Sequence, residues 1–165
     1  MPDFFGQTAV CNTGPLLAFC RIGRMGLIAD LFPEVVVPLE VTEELLVTPH
    51  ADLPEIRESL ARFSVSSALV TPEPFLAMQL DLGEAAVIAT AVQRGGLPVI
   101  MDERKGRRVA SVGYGLRVKG SGGLLVAAKQ RGLVSAIRPL LLEMRRNGYF
   151  LSDPLVAECL RIVGE

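Results

Sequence analysis

Leu82-Gly83-Glu84-Ala85-Ala86-Val87-Ile88-Ala89-Thr90-Ala91, followed shortly by Pro98-Val99-Ile100-Met101-Asp102-Glu103, is the stretch whose reading decides the fold. Its first part opens on an acid and continues with small and aliphatic residues. The pattern predicts a helix over 84–94, the longest clear one in the chain, closed by Gly95-Gly96. The second part is a short apolar run stopped by charged residues, which suits a buried strand. A helix that precedes a parallel strand runs antiparallel to it and starts at the strands' carboxyl end. Glu84 and Asp102 are therefore expected at the same end of one sheet.

The same pattern extends in both directions. Thr8-Ala9-Val10-Cys11 is an apolar run ended by the turn residues Asn12-Thr13-Gly14-Pro15, and Val35-Val36-Val37 is a β-branched run ended by Pro38. Both read as buried strands. Leu116-Arg117-Val118 reads as another, and 64–70 as a weakly alternating edge strand. Helical spacing covers 16–22, with Thr13 a candidate N-cap, then 25–32, 39–46, 53–63, 75–80, 104–112, 124–131, 136–147 and 154–163. Thr48-Pro49-His50 marks a break, and His50 is given no role. Apolar strands separated by helices imply a parallel sheet covered on both faces. The expectation is one domain over 1–165, with residues from about 136 onward forming accessory C-terminal helices.

Composition narrows the function classes. Hydrophobic residues are 50% of the 165 and charged residues 21%, so the chain can build a core and is not a disordered segment. A net charge of −1 excludes wholesale attraction to nucleic acid, so any such reading needs a local patch. The three cysteines form no C-x-x-C pair, which argues against a disulfide framework and a zinc site and favours a reducing compartment. No leader is visible at Met1-Pro2-Asp3 and no run reaches the roughly 18 apolar residues of a membrane span. The expected location is cytoplasmic, with no membrane partner.

Sites in open parallel sheets form beyond the carboxyl ends of the strands. Asn12 and Thr13 follow the first strand, a helix with Glu43 and Glu44 follows the second, and Asp102 and Glu103 follow 98–101. Oxygen donors without a histidine or thiol suit Mg²⁺ or Mn²⁺, and a cation is the natural way to keep packed carboxylates ionised. Metal ions in such a site can activate water and stabilise the leaving oxygen of a phosphodiester. Each residue also has a plainer role open to it. Glu84 can serve the helix dipole, Asn12 the local turn, and Thr13 an N-cap. Arg104, Lys105, Arg107 and Arg108 are the densest basic cluster, readable as phosphate contacts or as a solvated helix face, and Lys119 follows a strand in the same way. Aromatic residues are 5% with no Trp, so no stacking platform for single strands is expected.

In order and spacing these segments resemble a PIN domain. Asn12-Thr13-Gly14-Pro15-Leu16 resembles its opening Asp-Thr-Ser-Pro-Leu motif. Val37-Pro38, Val41 and Glu44-Leu45 resemble its second element, the Gly83-Glu84 helix its third, and the 98–103 stretch its fourth. With Leu116-Arg117-Val118-Lys119-Gly120, they resemble more narrowly a prokaryotic branch of predicted nucleic-acid-binding PIN-like proteins.

The resemblance implies a three-layer α/β/α fold with a mainly parallel central sheet and a C-terminal helical extension. It also implies an Mg²⁺- or Mn²⁺-dependent endoribonuclease. Its catalytic set would be Asn12, Glu44, Glu84 and Asp102, with Asn12, Glu84, Asp102 and Glu103 as metal ligands. Thr13, Arg104, Lys105, Arg107, Arg108 and Lys119 would contact the RNA. Many relatives are VapC-like toxins paired with a small antitoxin protein, and homodimers are common. Two positions depart from the motif: Asn12 stands for the usual Asp and Gly14 for the usual Ser. Asp102 and Glu103 compete as the fourth acid. Two other readings stay open. One is a catalytically weak or inactive PIN-like protein that binds nucleic acid or an antitoxin. The other is a phospho-receiver-like domain, which Lys119 suits but which lacks an acceptor Asp after a middle strand.

Overall fold

The computed structural model describes residues 2–47, 53–66 and 71–165. The expected break at Thr48-Pro49-His50 and the end of the expected edge strand, 67–70, lie outside them. The chain runs β1 (Ala9–Cys11), α1 (Thr13–Arg21), α2 (Met25–Leu31), β2 (Val35–Pro38), α3 (Leu39–Val47) and α4 (Leu53–Leu60). It continues with β3 (Ser64–Ser66), α5 (Pro74–Gln79), α6 (Leu82–Gln93), β4 (Val99–Ile100) and α7 (Arg104–Arg108). Last come β5 (Val118–Lys119), α8 (Ser121–Gln130), α9 (Arg138–Arg146) and α10 (Asp153–Val163).

Among the described residues, the five strands are all parallel, in the order β3-β2-β1-β4-β5. β1 and β2 are fully buried, which is why both read as unbroken apolar runs rather than alternating ones. Helices flank the sheet in a three-layer α/β/α arrangement. α6 packs on β1, β2 and β4 and against α3, while α8 packs against β5, α1, α2 and α10. Ala85, Ala86, Ala89 and Ala91 are buried along α6, so its small side chains let the helix lie close to the sheet.

The topology places a crevice. From β1 the chain builds outward through β2 to β3, then returns to place β4 on the other side of β1. The strand order reverses between β1 and β4, and ligands of open α/β sheets bind at such a switch point. Val10 pairs with Val99 and Cys11 with Ile100, and the Asn12 amide donates to the Ile100 carbonyl at 3.0 Å. Asn12 and the residues after Ile100 thus flank one opening.

Several boundaries differ from the sequence reading, and three of them bear on the site. α1 begins at Thr13, with Asn12 in the cap position but making no side-chain cap. α8 begins at Ser121, so the glycines of 120–123 are largely helical, because an acid from another strand caps this end. The expected 104–112 helix widens into a π-type turn over Val109–Gly113. There the Ser111 hydroxyl donates to the Arg107 carbonyl at 2.8 Å, a side-chain competitor to the regular helical ladder.

Candidate metal and nucleic-acid site

A cleft of about 390 Å³ opens at the β1–β4 switch point. Asn12 and Thr13 line it from the end of β1, and Asp102 and Glu103 from the end of β4. Glu44 enters from α3 and Glu84 from the start of α6. Side chains 90 positions apart in the chain are gathered here because parallel strands and their helices deliver their site ends to one edge.

Each acid is held by local chemistry. Glu84 is buried, at 7% exposure, and sits at the third position of α6. Its amide donates to Asp81 Oδ1 at 2.8 Å, and its Oε2 accepts from the Asp81 amide at 3.3 Å, a reciprocal capping box. The plainer role open to Glu84 is thus real, and it coexists with its place in the cleft. Burial, and then the charge of Asp81, hold its carboxyl above the usual carboxylate range. Glu103 and Glu44 push the same way, while the Asp81 backbone hydrogen bond pulls it back.

Glu44 Oε2 accepts from Thr13 Oγ1 at 2.9 Å, so the Thr13 hydroxyl serves Glu44 instead of capping α1. A Cβ on Gly83 would lie 2.8 Å from Glu44 Oε2. The glycine before Glu84 therefore lets the α3 carboxylate approach α6. Glu43, one position earlier, points into a neighbouring groove with Glu40, Val47 and Leu82 and does not line the acidic cleft.

Asp102 is the most heavily hydrogen-bonded of the set. Its Oδ1 accepts from the Ser121 amide at 2.7 Å. Its Oδ2 accepts from Ser121 Oγ at 2.5 Å and from the Tyr149 hydroxyl. Asp102 thereby caps α8, satisfying an amide that the helix itself leaves unpaired. Glu103, by contrast, is exposed and accepts from the Lys105 amide at 3.2 Å, capping α7.

A PIN-domain family model matches residues 8–165. The chain belongs to the PIN-domain family. No curated protein and no solved structure matches it. PIN domains are generally nucleases and usually use divalent metals, and the cleft can be tested against that chemistry.

The donors of this PIN domain are hard oxygens throughout, the kind Mg²⁺ and Mn²⁺ prefer. Asn12 Oδ1 is buried without a hydrogen-bond partner. An unpaired buried carbonyl is costly, and a cation would relieve it. Among the described residues, no three His, Cys, Asp or Glu side chains are drawn round one point closely enough to hold an ion as they stand. Glu84, Glu44 and Asp102 are instead satisfied by protein donors, from Asp81, Thr13, Ser121 and Tyr149. The donor set fits a divalent cation in kind, and the Asn12 amide oxygen is the part of it without a protein partner.

The basic residues are distributed differently. Arg104, Lys105 and Arg108 are exposed on α7, beside the cleft and not in its lining. Arg107 is half-buried, its Nη1 donating to the Met101 carbonyl at 3.3 Å. Lys119 lies over the Phe4 ring, at 5.3 Å from its centroid, in a second groove that shares Asp102 with the first.

Four residues of the cleft or its support lay outside the sequence reading: Asp81, Ser121, Tyr149 and Phe150. Asp81 and Ser121 had signals. Asp81-x-x-Glu84 has capping-box spacing, and Ser121 stands just beyond β5, where the strand-end rule applied to that strand would have found it. Tyr149 and Phe150 had none. Phe150 is 86% exposed at the cleft.

A Cβ at Gly120 would overlap Asp102 Oδ1 and lie 2.5 Å from Arg107 Nη1. Gly120→Ala should therefore push Asp102 off its α8 cap. The expected loss is about 1–3 kcal/mol, typical of overpacking. Thermal denaturation should show it as a drop of several degrees.

Proposed function

We propose that this chain is a metal-dependent endoribonuclease that hydrolyses RNA phosphodiester bonds. The carrying observation is that Asn12, Glu44, Glu84 and Asp102 line one cleft at the strand-order reversal, with the Asn12 amide oxygen buried and unpaired. Asn12, Glu84 and Asp102 would hold Mg²⁺ or Mn²⁺, with Glu103 at the rim. When bound, the ion supplies positive charge beside the scissile phosphate and lowers the pKa of water. Glu44 holds Thr13 and so fixes the first turn of α1. Arg104, Lys105 and Arg108 bind backbone phosphates and set the register of the strand, as Lys119 does from the adjoining groove. Arg107 supports the Met101 carbonyl ahead of Asp102.

In its finer form the reading makes the chain a VapC-like toxin, acting as a homodimer and restrained by a small antitoxin. That step rests on the resemblance alone.

The test is cleavage of structured and unstructured RNA with Mg²⁺ or Mn²⁺, comparing the unaltered chain with Asp102→Asn and Glu103→Gln. Asn keeps an oxygen to cap α8, so folding survives while the charge is lost. Asp102→Asn should lose nearly all activity and Glu103→Gln should keep most of it. Equal activity in all three would remove this site from the reaction.

A specific observation favours a second reading. The oxygen at position 12 carries no charge, which weakens cation binding and suits a protein that binds RNA or an antitoxin without cutting. Tight RNA binding by the unaltered chain with no cleavage at saturating Mn²⁺ would decide for it.

A further inference from the structure

The turn between α9 and α10 reaches the cleft from a part of the chain that no strand-end argument covers. It is fastened on both sides. Gly148 adopts φ 83°, a left-handed conformation natural to glycine, and the Tyr149 amide donates to the Met144 carbonyl at 3.0 Å. Arg145 donates from Nε and Nη2 to the Leu151 carbonyl at 3.0 and 2.6 Å, and the Leu151 side chain is buried. Between these anchors the Tyr149 hydroxyl donates to Asp102 Oδ2.

The opposite wall is shaped to admit that phenol. A Cβ on Gly14 would lie 3.1 Å from Tyr149 Oη and 4.0 Å from Asp102 Cβ. Any larger residue at position 14 would press on the hydroxyl. A turn pinned by three hydrogen bonds and one buried side chain, a glycine that leaves room, and an acid that receives the donor all converge on one atom.

We infer that Tyr149 is a positioning residue of the site, holding the Asp102 carboxylate for a divalent cation. The inference rests on the metal-dependent reading above. An ionised carboxylate offers about four lone-pair sites. Ser121 and Tyr149 use three of them. The carboxylate is fixed in one orientation and retains capacity for one further ligand. Fixing it beforehand removes the ordering that cation binding would otherwise require. Partners of this kind typically change metal affinity by about 10–100-fold when removed.

The experiment measures Mn²⁺ binding to the RNA-free protein by electron paramagnetic resonance, for the unaltered chain, Tyr149→Phe, Gly14→Ala and the double variant. Tyr149→Phe keeps the ring and removes only the donor. Its Mn²⁺ Kd should rise about tenfold or more. In cleavage assays kcat should fall while KM for RNA moves less than twofold. Gly14→Ala should weaken Mn²⁺ binding by crowding the hydroxyl, and the double variant should be no worse than Tyr149→Phe alone, because the crowded atom is gone. A purely structural tyrosine would change melting and leave the Mn²⁺ Kd alone. An unchanged or tighter Kd in Tyr149→Phe, beside an unaltered chain that binds Mn²⁺, overturns the role of Tyr149 only. An unaltered chain that binds no Mn²⁺ overturns this role and the metal-dependent reading together.

Discussion

Glu84→Gln should reduce metal-dependent RNA cleavage by about a hundredfold or more, the scale of removing one preorganised charge-stabilising group. The same variant should raise the melting temperature of the metal-free protein at pH 7. The two outcomes follow from one fact. Glu84 is buried next to Asp81, and burial and that charge both raise its carboxyl pKa from 4.5. In the window just above 4.5 the folded state therefore binds more protons than the unfolded state. Stability falls as pH rises through that window, and the deficit persists at neutral pH. Gln has no charge to desolvate, so the advantage of the variant should be near zero at pH 4 and grow as pH rises above 4.5.

Gln also retains the oxygen that the capping box uses at this position, so the cap does not mask the effect. Added Mn²⁺ should stabilise the unaltered chain more than the variant, since a ligand that binds only the folded state stabilises in proportion to its occupancy. Melting curves across pH, with and without Mn²⁺, check all three parts. A variant that melts lower at pH 7 and still cleaves RNA would show Glu84 to be only a helix cap.

The parts of this molecule that were legible in its sequence are the parts set by local chemistry. Val35-Val36-Val37 had to be buried on both faces, and Pro38 had to end it, because β-branched runs and prolines act within a few residues. The strand-end rule found Asn12 and Asp102, and the direction of α6 found Glu84, for the same reason. The fate of the Thr13 hydroxyl was not legible. A threonine before a helix reads as a cap, yet its partner is Glu44, 31 positions later and across the sheet edge. The start of α8 was misplaced because its cap comes from Asp102, 19 positions earlier. Tyr149 is the extreme case. It lies 47 residues from the acid it serves, and its only trace upstream is a glycine at position 14 whose reason is spatial. Hydrogen bonds between distant segments leave no period or spacing to read, and in this chain they hold the site together.

Asn12→Asp should produce a protein that is markedly less stable without metal and more responsive to it. Asn12 is 7% exposed, and its Oδ1 is already without a partner. A carboxylate placed there joins Glu44, Glu84 and Asp102 in one cleft, and its desolvation is expected to cost several kcal/mol when nothing offsets it. For a chain of this length, each kcal/mol is worth roughly 2–4 °C in melting temperature. The metal-free variant should therefore melt many degrees lower at pH 7 and recover toward low pH, where the new acid is protonated.

Mn²⁺ reverses the balance, because the added charge that destabilises the empty cleft attracts the cation. The Mn²⁺-induced rise in melting temperature should exceed that of the unaltered chain, and the Mn²⁺ Kd should fall. Cleavage then separates the two functional readings. If the unaltered chain already cuts RNA well and Asn12→Asp improves it modestly, the neutral oxygen tunes an active nuclease. If cleavage emerges only in Asn12→Asp, the natural chain uses this cleft to bind, and the missing charge is what keeps it from cutting. A variant whose melting ignores Mn²⁺ altogether would overturn the metal-dependent reading, since a cation bound to the folded state anywhere would stabilise it.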